Sequence, residues 1–411
     1  MRIAIIGAGI GGLVTAAALH RTGHAVTILE KRPQPGAIGA GLSLFGNSFA
    51  ALESVGLGDV IAPLITAPES PLRAGQRTTD GRWLVTLPRK ATNSMRVLHR
   101  IDLHSALADC LEPGTLHSGC DATVTSIGQV NTELGVPGAG RAVSNKPGMP
   151  EVTISSTIEG EAADPIAGSS ATFDLVVAAD GIRSSTRTAM GLDTGVRYAG
   201  YTAWRGVTDQ PVNVHAEAGE TWGLGRRFGI APLPDGRVYW FATENSTEKT
   251  THEDEKAAIL SRFGSWHDPI RTLLESTETR AISRHDIYDL ASPLESFVKG
   301  RVVLVGDAAH AMTPDLGQGA GQAIEDAATL ALLLKGTRTG SDIDAALRVY
   351  DRTRRARSQW VARKSRAMGK LAQCDSPTRA SLRDTVLRMT PNTFVGAAAS
   401  RLQRWQPPRG T

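Results

Sequence analysis

The chain is poor in cysteine, in aromatic residues and in long apolar runs, and each shortage excludes something. Its three cysteines (Cys110, Cys120, Cys374) are odd in number and scattered, so they imply neither a disulfide framework nor a metal cluster. No apolar run approaches the ~18 residues needed to cross a membrane. The apolar stretch 2–6 runs into glycines without a cleavage site, unlike a signal peptide. A cytoplasmic protein with no membrane partner and no bound metal is expected. One-sided charge is also scarce: 45 Lys and Arg against 41 Asp and Glu give a net +4. The positive residues crowd between 348 and 366, at Arg352, Arg354, Arg355, Arg357, Arg363, Lys364 and Arg366. No nucleic-acid-binding module accompanies them, so they read as a solvated helix whose arginines pair with acids, and no nucleic-acid partner is expected.

What remains is an ordinary globular composition, 41% hydrophobic and 21% charged over 411 residues, enough for two or three domains with sizeable cores. Residues 2–6 read as a buried strand, 11–22 as an Ala-rich helix and 25–30 as a second strand, a right-handed βαβ unit. Gly7-Ala-Gly9-Ile-Gly-Gly12 joins its first strand to its helix. The first glycine permits the turn, the second lets backbone approach a pyrophosphate, and the third lets helix and strand pack closely. The helix start then offers free N–H groups to the phosphates. Glu30 ends the second strand, where a carboxylate can hold ribose hydroxyls and disfavours a 2′-phosphate.

About three hundred residues later, Arg301-Val-Val-Leu-Val-Gly-Asp307 forms a second strand with a Gly-Asp exit. It leads to Pro314, Asp315 and the run Gly317-Gln-Gly319-Ala320-Gly321. Asp307 stands where ligands bind in an α/β sheet and suits a polyol such as a ribityl chain. The glycines let backbone pass close to a flat ring, and the following helix, starting near Ala320, points its positive end at that ring. A dinucleotide gripped from both ends of the sequence is FAD. Between the two grips, 198–207, 220–228, 229–233 and 237–243 alternate as antiparallel strands. Thr251 and Asp254 read as a capping box, and Asp268-Pro269 opens another helix. From Ser341 the chain is helical to about Arg401, with Ile343, Leu347 and Tyr350 on one face. Residues 131–172 read as a long hairpin or loop.

Three signatures together resemble the FAD-dependent aromatic hydroxylases, the single-component (group A) flavin monooxygenases, over nearly the whole chain. They are Gly7–Gly12 with Glu30, Ala179-Asp180-Gly181-Ile-Arg-Ser184-x-x-Arg187, and Gly306-Asp307 with Pro314 and Gly317–Gly321. His99-Arg100-Ile-Asp102-Leu103 is similar to a further element of that family, whose arginine contacts FAD. The resemblance implies an α/β fold: an FAD-binding Rossmann-like (GR2-type) domain, an inserted antiparallel β-sheet substrate domain and a helical C-terminus. The expected division is 1–75, 96–190 and 285–340 for FAD, 76–95 and 191–284 for the sheet, and 341–411 for the helical region. FAD is expected to lie against Gly7, Gly9, Gly12, Glu30, Lys31, Gly41, Arg100, Asp180, Gly181, Asp307, Gly317, Gly319, Ala320 and Gly321. Gly321 stands where the family commonly has asparagine or cysteine.

The implied activity is hydroxylation of a small aromatic or heteroaromatic ring with NAD(P)H and O2, through a flavin C4a-hydroperoxide. Epoxidation or reduction on the same fold, or flavin binding without turnover, are the alternatives, and the chain is a monomer or a homodimer. Arg227, Tyr239 and Asp315 resemble active-site residues of the FAD-dependent urate hydroxylase branch. Pro314 resembles the residue that roofs the flavin. Phe45, Trp222 and Phe228 are candidate substrate contacts. His310 reads as structural, and Arg205 as one half of a salt bridge between sheet and FAD domain. Whether Arg227 and Tyr239 share a face depends on the turn between them. A three-residue loop at 234–236 places them together, and a two-residue turn separates them.

Overall fold

A computed structural model describes residues 1–34, 41–65, 72–88, 92, 94–127, 149–157, 164 and 166–408. Its centre is a six-stranded sheet ordered Val298–Lys299, Val302–Leu304, Leu175–Ala178, Arg2–Ile6, Ala25–Glu30 and Leu116–Ser118. The middle strands pair in parallel, with Ile5 opposite Val177 and Ile28, and Val177 opposite Val303. These are continuous apolar runs because both faces of the sheet are covered. Ile3, Ile5, Leu175, Val177, Val302 and Val303 are all fully buried. The helices Ile10–Arg21 and Gly319–Leu334 pack on this sheet, one leaving each of the two Gly-rich turns.

A seven-stranded sheet stands beside it, ordered Ser283–Leu290, Val196–Val207, Val238–Asn245, Arg226–Pro232, Glu217–Trp222, Arg73–Thr78 and Trp83–Thr86. Two of its strands, 73–78 and 283–290, straddle the boundaries expected at 75/76 and 284/285. The helices Glu255–Phe263 and Ile270–Glu275 cover one face, burying Phe228, Ile230, Trp240, Ala242, Phe263 and Leu273. The other face looks toward the Gly-rich turns of the first sheet.

Several expectations shift by a few residues. The segment 220–228 is not one strand: the chain turns at Gly223–Gly225, with Gly225 at φ +61, so Arg227 and Phe228 belong to Arg226–Pro232. The cap of Glu255–Phe263 is Asp254 itself, which accepts from the Ala257 N–H at 2.9 Å. Pro269 lies just before its helix rather than in its first turn. Three helices, Gly340–Ala372, Pro377–Met389 and Asn392–Leu402, make up the C-terminus. Ile343, Leu347 and Tyr350 face the core. Much of 131–172 lies outside the described residues; Pro150–Ser156 and Ser170–Thr172 form a small sheet with Cys120–Ile127.

The Arg-rich helix Gly340–Ala372 does pair with acids, but its central arginine is buried rather than solvated. Arg354 is fully buried and donates to Asp326 at 2.7 Å and to Glu325, while Arg357 also holds Glu325. Burial alone would raise the two carboxyl pKa values. Arg354 with Arg357 at Glu325, and His310 with Arg354 at Asp326, outweigh it and hold both below their usual range. Removing one partner of a buried network strands the others, so Arg354→Leu is expected to cost about 3–5 kcal/mol in urea unfolding. Both acids have depressed folded pKa values. Their stabilisation is therefore complete above the unfolded range near ~4 and lost as pH falls through the folded values. Urea midpoints measured across that window should fall for the parent protein and fall less for Arg354→Leu.

Candidate active site

The first Gly-rich turn is shaped on two sides. A Cβ on Gly7 would meet the Ala179 carbonyl at 2.5 Å, and one on Gly12 would run into the Gly7 carbonyl. Those two glycines serve contacts inside the protein. A Cβ on Gly9 would meet no protein atom within 4 Å, and Gly9 lines two adjoining cavities. One, of about 470 Å³, runs past Glu30, Lys31, Arg100, His104, Asp180 and Gly181. The other, of about 390 Å³, continues past Arg100, Gly181, Asp307, Gly317, Gly319 and Ala320 to the seven-stranded sheet. Shared residues Gly9, Arg100, Ala179 and Gly181 make them one trough.

The trough's polar groups fit a long dinucleotide. Asp180 spends one carboxylate oxygen on the Thr186 N–H at 3.0 Å, and its other oxygen is buried without a partner. Glu30 accepts from the Ala8 N–H at 2.7 Å and the Arg32 N–H at 2.9 Å. Each of its oxygens keeps a second lone pair for a ligand hydroxyl. Lys31 is already engaged with Asp121 at 2.8 Å. Burial lowers the pKa of Arg100, which Asp307 partly restores. Asp307 accepts no hydrogen bond among the described residues, so its carboxylate is free for a polyol. The first N–H groups of the helix Gly319–Leu334 have no intrahelical acceptor and open on the same space.

The Gly306-Asp307 turn is held from below. Asp326 accepts from the Gly306 N–H at 2.8 Å and from His310 at 2.6 Å, with Arg354 on its other oxygen. His310 is buried in that structural role, away from the two cavities. Gly321 also has a local reason. A side chain there would meet Ser48 Oγ at 2.8 Å and Asn47 Nδ2 at 3.2 Å, so Asn47 fills the space an asparagine at 321 would take.

On the sheet side the turn resolves the open register. Leu233 N–H bonds to Arg237 across a three-residue loop, and Ala231 stands opposite Tyr239. Arg227, Tyr239, Phe241 and Thr243 therefore share one face, and all four line the 390 Å³ cavity together with Pro314 and Asp315. Arg227 is 2% exposed and donates to Asp315 at 2.6 Å, to Gln373 at 2.9 Å and to Glu220 at 3.4 Å. The Tyr201 hydroxyl donates to both Asp315 oxygens, at 3.1 and 3.0 Å. Burial works against the Arg227 charge, but Glu220 and Asp315 more than offset it and push its pKa further up. Burial, then Asp315, drives the Tyr201 phenol far above its usual value. Arg227 is a fixed cation and Tyr201 a fixed donor at any working pH.

Two sheets thus present a dinucleotide trough that ends at a buried cation and a tyrosine. The comparisons agree with that geometry. An FAD-binding domain family matches residues 153–365, and an NAD(P)-binding Rossmann-like domain family matches residues 5–43. Aurachin C monooxygenase/isomerase of Stigmatella aurantiaca is 34% identical over 99% of both chains. 2-Heptyl-3-hydroxy-4(1H)-quinolone synthase of Pseudomonas aeruginosa is 31% identical over 95% of both. The FAD-dependent urate hydroxylase of Klebsiella pneumoniae is 30% identical over 89% of both. Klebsiella pneumoniae HpxO complexed with FAD and uric acid superposes with a TM-score of 0.81 at 26% identity, over 98% of this chain and 96% of that one. The chain belongs to the FAD-dependent aromatic hydroxylases. As a flavoprotein monooxygenase it uses FAD, with NAD(P)H as co-substrate, to hydroxylate a small aromatic ring. No helix among the described residues is long and apolar enough to cross a membrane.

In this hydroxylase three expected substrate contacts fall elsewhere. Phe228 is even-numbered in its strand and points to the opposite face, where it stacks on Trp240 at 5.6 Å between ring centroids. Trp222 stands opposite Arg227, but its ring lies under Arg383 and its indole N–H donates to Glu220 at 2.8 Å, behind the cavity wall. Phe45 packs beside Gly317 and does not line the cavity. Arg205 forms no ion pair among the described residues and instead donates to the Tyr239 hydroxyl at 3.4 Å. Sequence reasoning missed Glu220, Phe241 and Gln373. The first two were within reach of the strand alternation once the Gly223–Gly225 turn was placed, whereas Gln373 arrives from a distant helix.

Gly41 packs directly on the sheet side of the cavity: a Cβ there would overlap the Tyr239 ring. Gly41→Ala should displace Tyr239 and lower ligand affinity while FAD content stays near that of the parent, measured by flavin absorbance and ligand titration. The double change Gly321→Asn with Asn47→Gly should retain more FAD than Gly321→Asn alone.

Proposed function

We propose that the hydroxylase acts on a planar heteroaromatic substrate held between the sheet and the flavin, with Arg227 and Tyr239 as its polar contacts. Asp315 and Pro314 serve as supports. The observation that carries this reading is convergence. Arg227, Tyr239, Asp315 and Pro314 line the same cavity as Gly9, Asp307 and Gly319. When bound, FAD supplies the redox chemistry, taking electrons from NAD(P)H and activating O2. The residues gripping it are those of the trough: Gly9, Glu30, Arg100, Asp180, Gly181, Asp307, Gly317, Gly319 and Ala320.

The chain's own groups have distinct tasks. Asp315 and Gln373 fix the Arg227 guanidinium, so it acts as an oriented cation that never gives up a proton. Its charge is matched by Asp315 and Glu220, so it holds both carboxylates in place and sets the polar edge along which the ring is positioned. Tyr239 orients a ring substituent, with its hydroxyl held toward Arg205. Pro314 and Phe241 exclude water. In the accompanying division of labour, segments around the six-stranded sheet hold FAD and the seven-stranded sheet holds substrate. The region 341–411 buttresses both. The relatives named for a quinolone and for urate support a ring bearing N–H and carbonyl groups.

The test is anaerobic reduction of the bound flavin by NADH and by NADPH, with and without uric acid, 4(1H)-quinolones, phenols and aromatic carboxylates. At least one ring compound is expected to accelerate reduction many-fold; fast reduction indifferent to every ligand would count against the reading. Arg227→Ala should reduce hydroxylation by a factor on the order of 10–100, as expected for a lost charged hydrogen bond. It and Tyr239→Phe should divert NAD(P)H oxidation to peroxide, and unchanged coupling in both would remove them from the site.

A further inference from the structure

Four residues form a row across the cavity face of the seven-stranded sheet. Arg205 stands opposite Phe241, Phe241 opposite Gly229, and Gly229 opposite Glu220. Directly paired residues share a face, and Arg205, Phe241 and Glu220 all line the cavity. Gly229 contributes no side chain, and the Phe241 ring occupies the space above it: a Cβ at 229 would overlap that ring. The row is an aromatic floor with a guanidinium at one end and a carboxylate at the other. Its end strands are three spacings apart, roughly 14 Å between backbones, and both side chains reach inward over the floor.

The two ends differ in what they have left to offer. Among the described residues Arg205 makes one side-chain hydrogen bond, to the Tyr239 hydroxyl at 3.4 Å. At Glu220, Oε2 accepts from Trp222 at 2.8 Å and from Arg227 at 3.4 Å. Oε1 has no hydrogen bond among the described residues and is not a buried orphan, because the side chain stays 22% exposed. Arg227 already serves two carboxylates, Asp315 and Glu220. This end of the cavity therefore carries one negative charge in excess. It has an acceptor to spare and repels a second anion.

We infer that Glu220 selects the substrate by accepting the ring N–H of a neutral heterocycle that carries a carbonyl, of the quinolone, pyridone or purinone type. The ring lies on Phe241, and its carbonyl oxygen points toward Arg205. An aryl carboxylate meets repulsion at the same end. The inference rests on the reading of this cavity as the substrate site.

The FAD-loaded enzyme is titrated with 2-methyl-4(1H)-quinolone, its N-methyl analogue, uric acid and salicylate, following flavin absorbance and the rate of flavin reduction. A charge-assisted hydrogen bond is worth a factor on the order of 10–100, so the N–H quinolone should bind at least about tenfold more tightly than the N-methyl compound. Glu220→Gln, isosteric and checked for unchanged FAD content, should narrow that ratio to about threefold or less, because a neutral acceptor is weaker. It should also strengthen salicylate binding. A ratio near one in the parent enzyme overturns the inference without any variant. A ratio that persists in Glu220→Gln overturns it too, since the discrimination is then steric. If ligands accelerate flavin reduction with no N–H preference, only the Glu220 assignment falls. If none of the four binds or accelerates reduction, the substrate-site reading falls with it.

Discussion

The contact between Arg227 and Asp315 joins elements that are remote in sequence. Arg227 comes from the middle of the seven-stranded sheet, and Asp315 from the short turn between the Gly306-Asp307 exit and the helix that begins at Gly319. A carboxylate that is fully buried, 0% exposed at its side chain, is tolerable only when its oxygens are occupied by donors. Two groups do this, Arg227 at 2.6 Å and Tyr201 at 3.0 Å, and both belong to the sheet. The turn is therefore docked to the sheet by the requirement to satisfy one acid. The C-terminal helix closes the arrangement: Gly369 packs so near Asp315 that a Cβ would overlap its carboxylate, and Gln373 accepts from Arg227 at 2.9 Å. The turn before Gly319, the seven-stranded sheet and the helix Gly340–Ala372 meet at a single ion pair.

A second acid performs the same service one layer deeper. Asp326 faces back from the helix Gly319–Leu334 to the Gly306 N–H at 2.8 Å, at a residue whose positive φ (+59) leaves that N–H pointing inward. Arg354 neutralises Asp326 from the far side. Within the arginine-rich segment Arg352, Arg363 and Lys364 stay exposed to solvent, and Arg354 turns into the core. It supplies the positive charge that lets the helix carry Glu325 and Asp326 in its buried face. Asp326 in turn fixes the backbone just before Asp307, which lines the cavity. Electrostatic cost in the core is accepted where it determines backbone geometry at the site, rather than for net stability.

The legible parts of this protein were those fixed by local backbone chemistry. Gly7, Gly9 and Gly12 between a buried strand and a helix, and Gly306 with Asp307 at the end of another, announce a cofactor because few sequences tolerate so many missing side chains without a reason. Helix burial was legible from Ile343, Leu347 and Tyr350, whose spacing is the helical period. The substrate face was harder because strand parity is unforgiving. Moving one turn from 228/229 to 223–225 leaves Arg227 in the cavity and sends Phe228 into the helix-backed core. A composition-minded guess favours the aromatic, and the period of two overrules it. Trp222 obeys the parity and still misses the cavity, because Arg383, from a helix more than 150 residues later, claims its ring. No local signal encodes that contact.

The glycines carry the most information about where ligand and protein divide the space. Gly7, Gly12, Gly41 and Gly229 are each occluded by protein: a carbonyl, another carbonyl, the Tyr239 ring and the Phe241 ring. Gly9, Gly181 and Gly319 face nothing within 4 Å, and all three open on the trough. The first group shapes the walls and the second leaves room. Gly229 lets the Phe241 ring lie across the backbone of the neighbouring strand, and Gly41, in a separate two-stranded sheet, leaves room for the Tyr239 ring. A cavity floored in this way accepts a flat ring and reads its edges with whatever polar groups stand at the rim. On the sheet side that rim is made by Arg205, Tyr239, Arg227 and Glu220. Arg205 and Arg227 are donors, the Tyr239 hydroxyl both donates and accepts, and Glu220 is the one anionic acceptor among the four. Recognition of a ring that has one N–H and one carbonyl follows from that asymmetry, because an anionic acceptor binds its single donor more strongly than a neutral hydroxyl does.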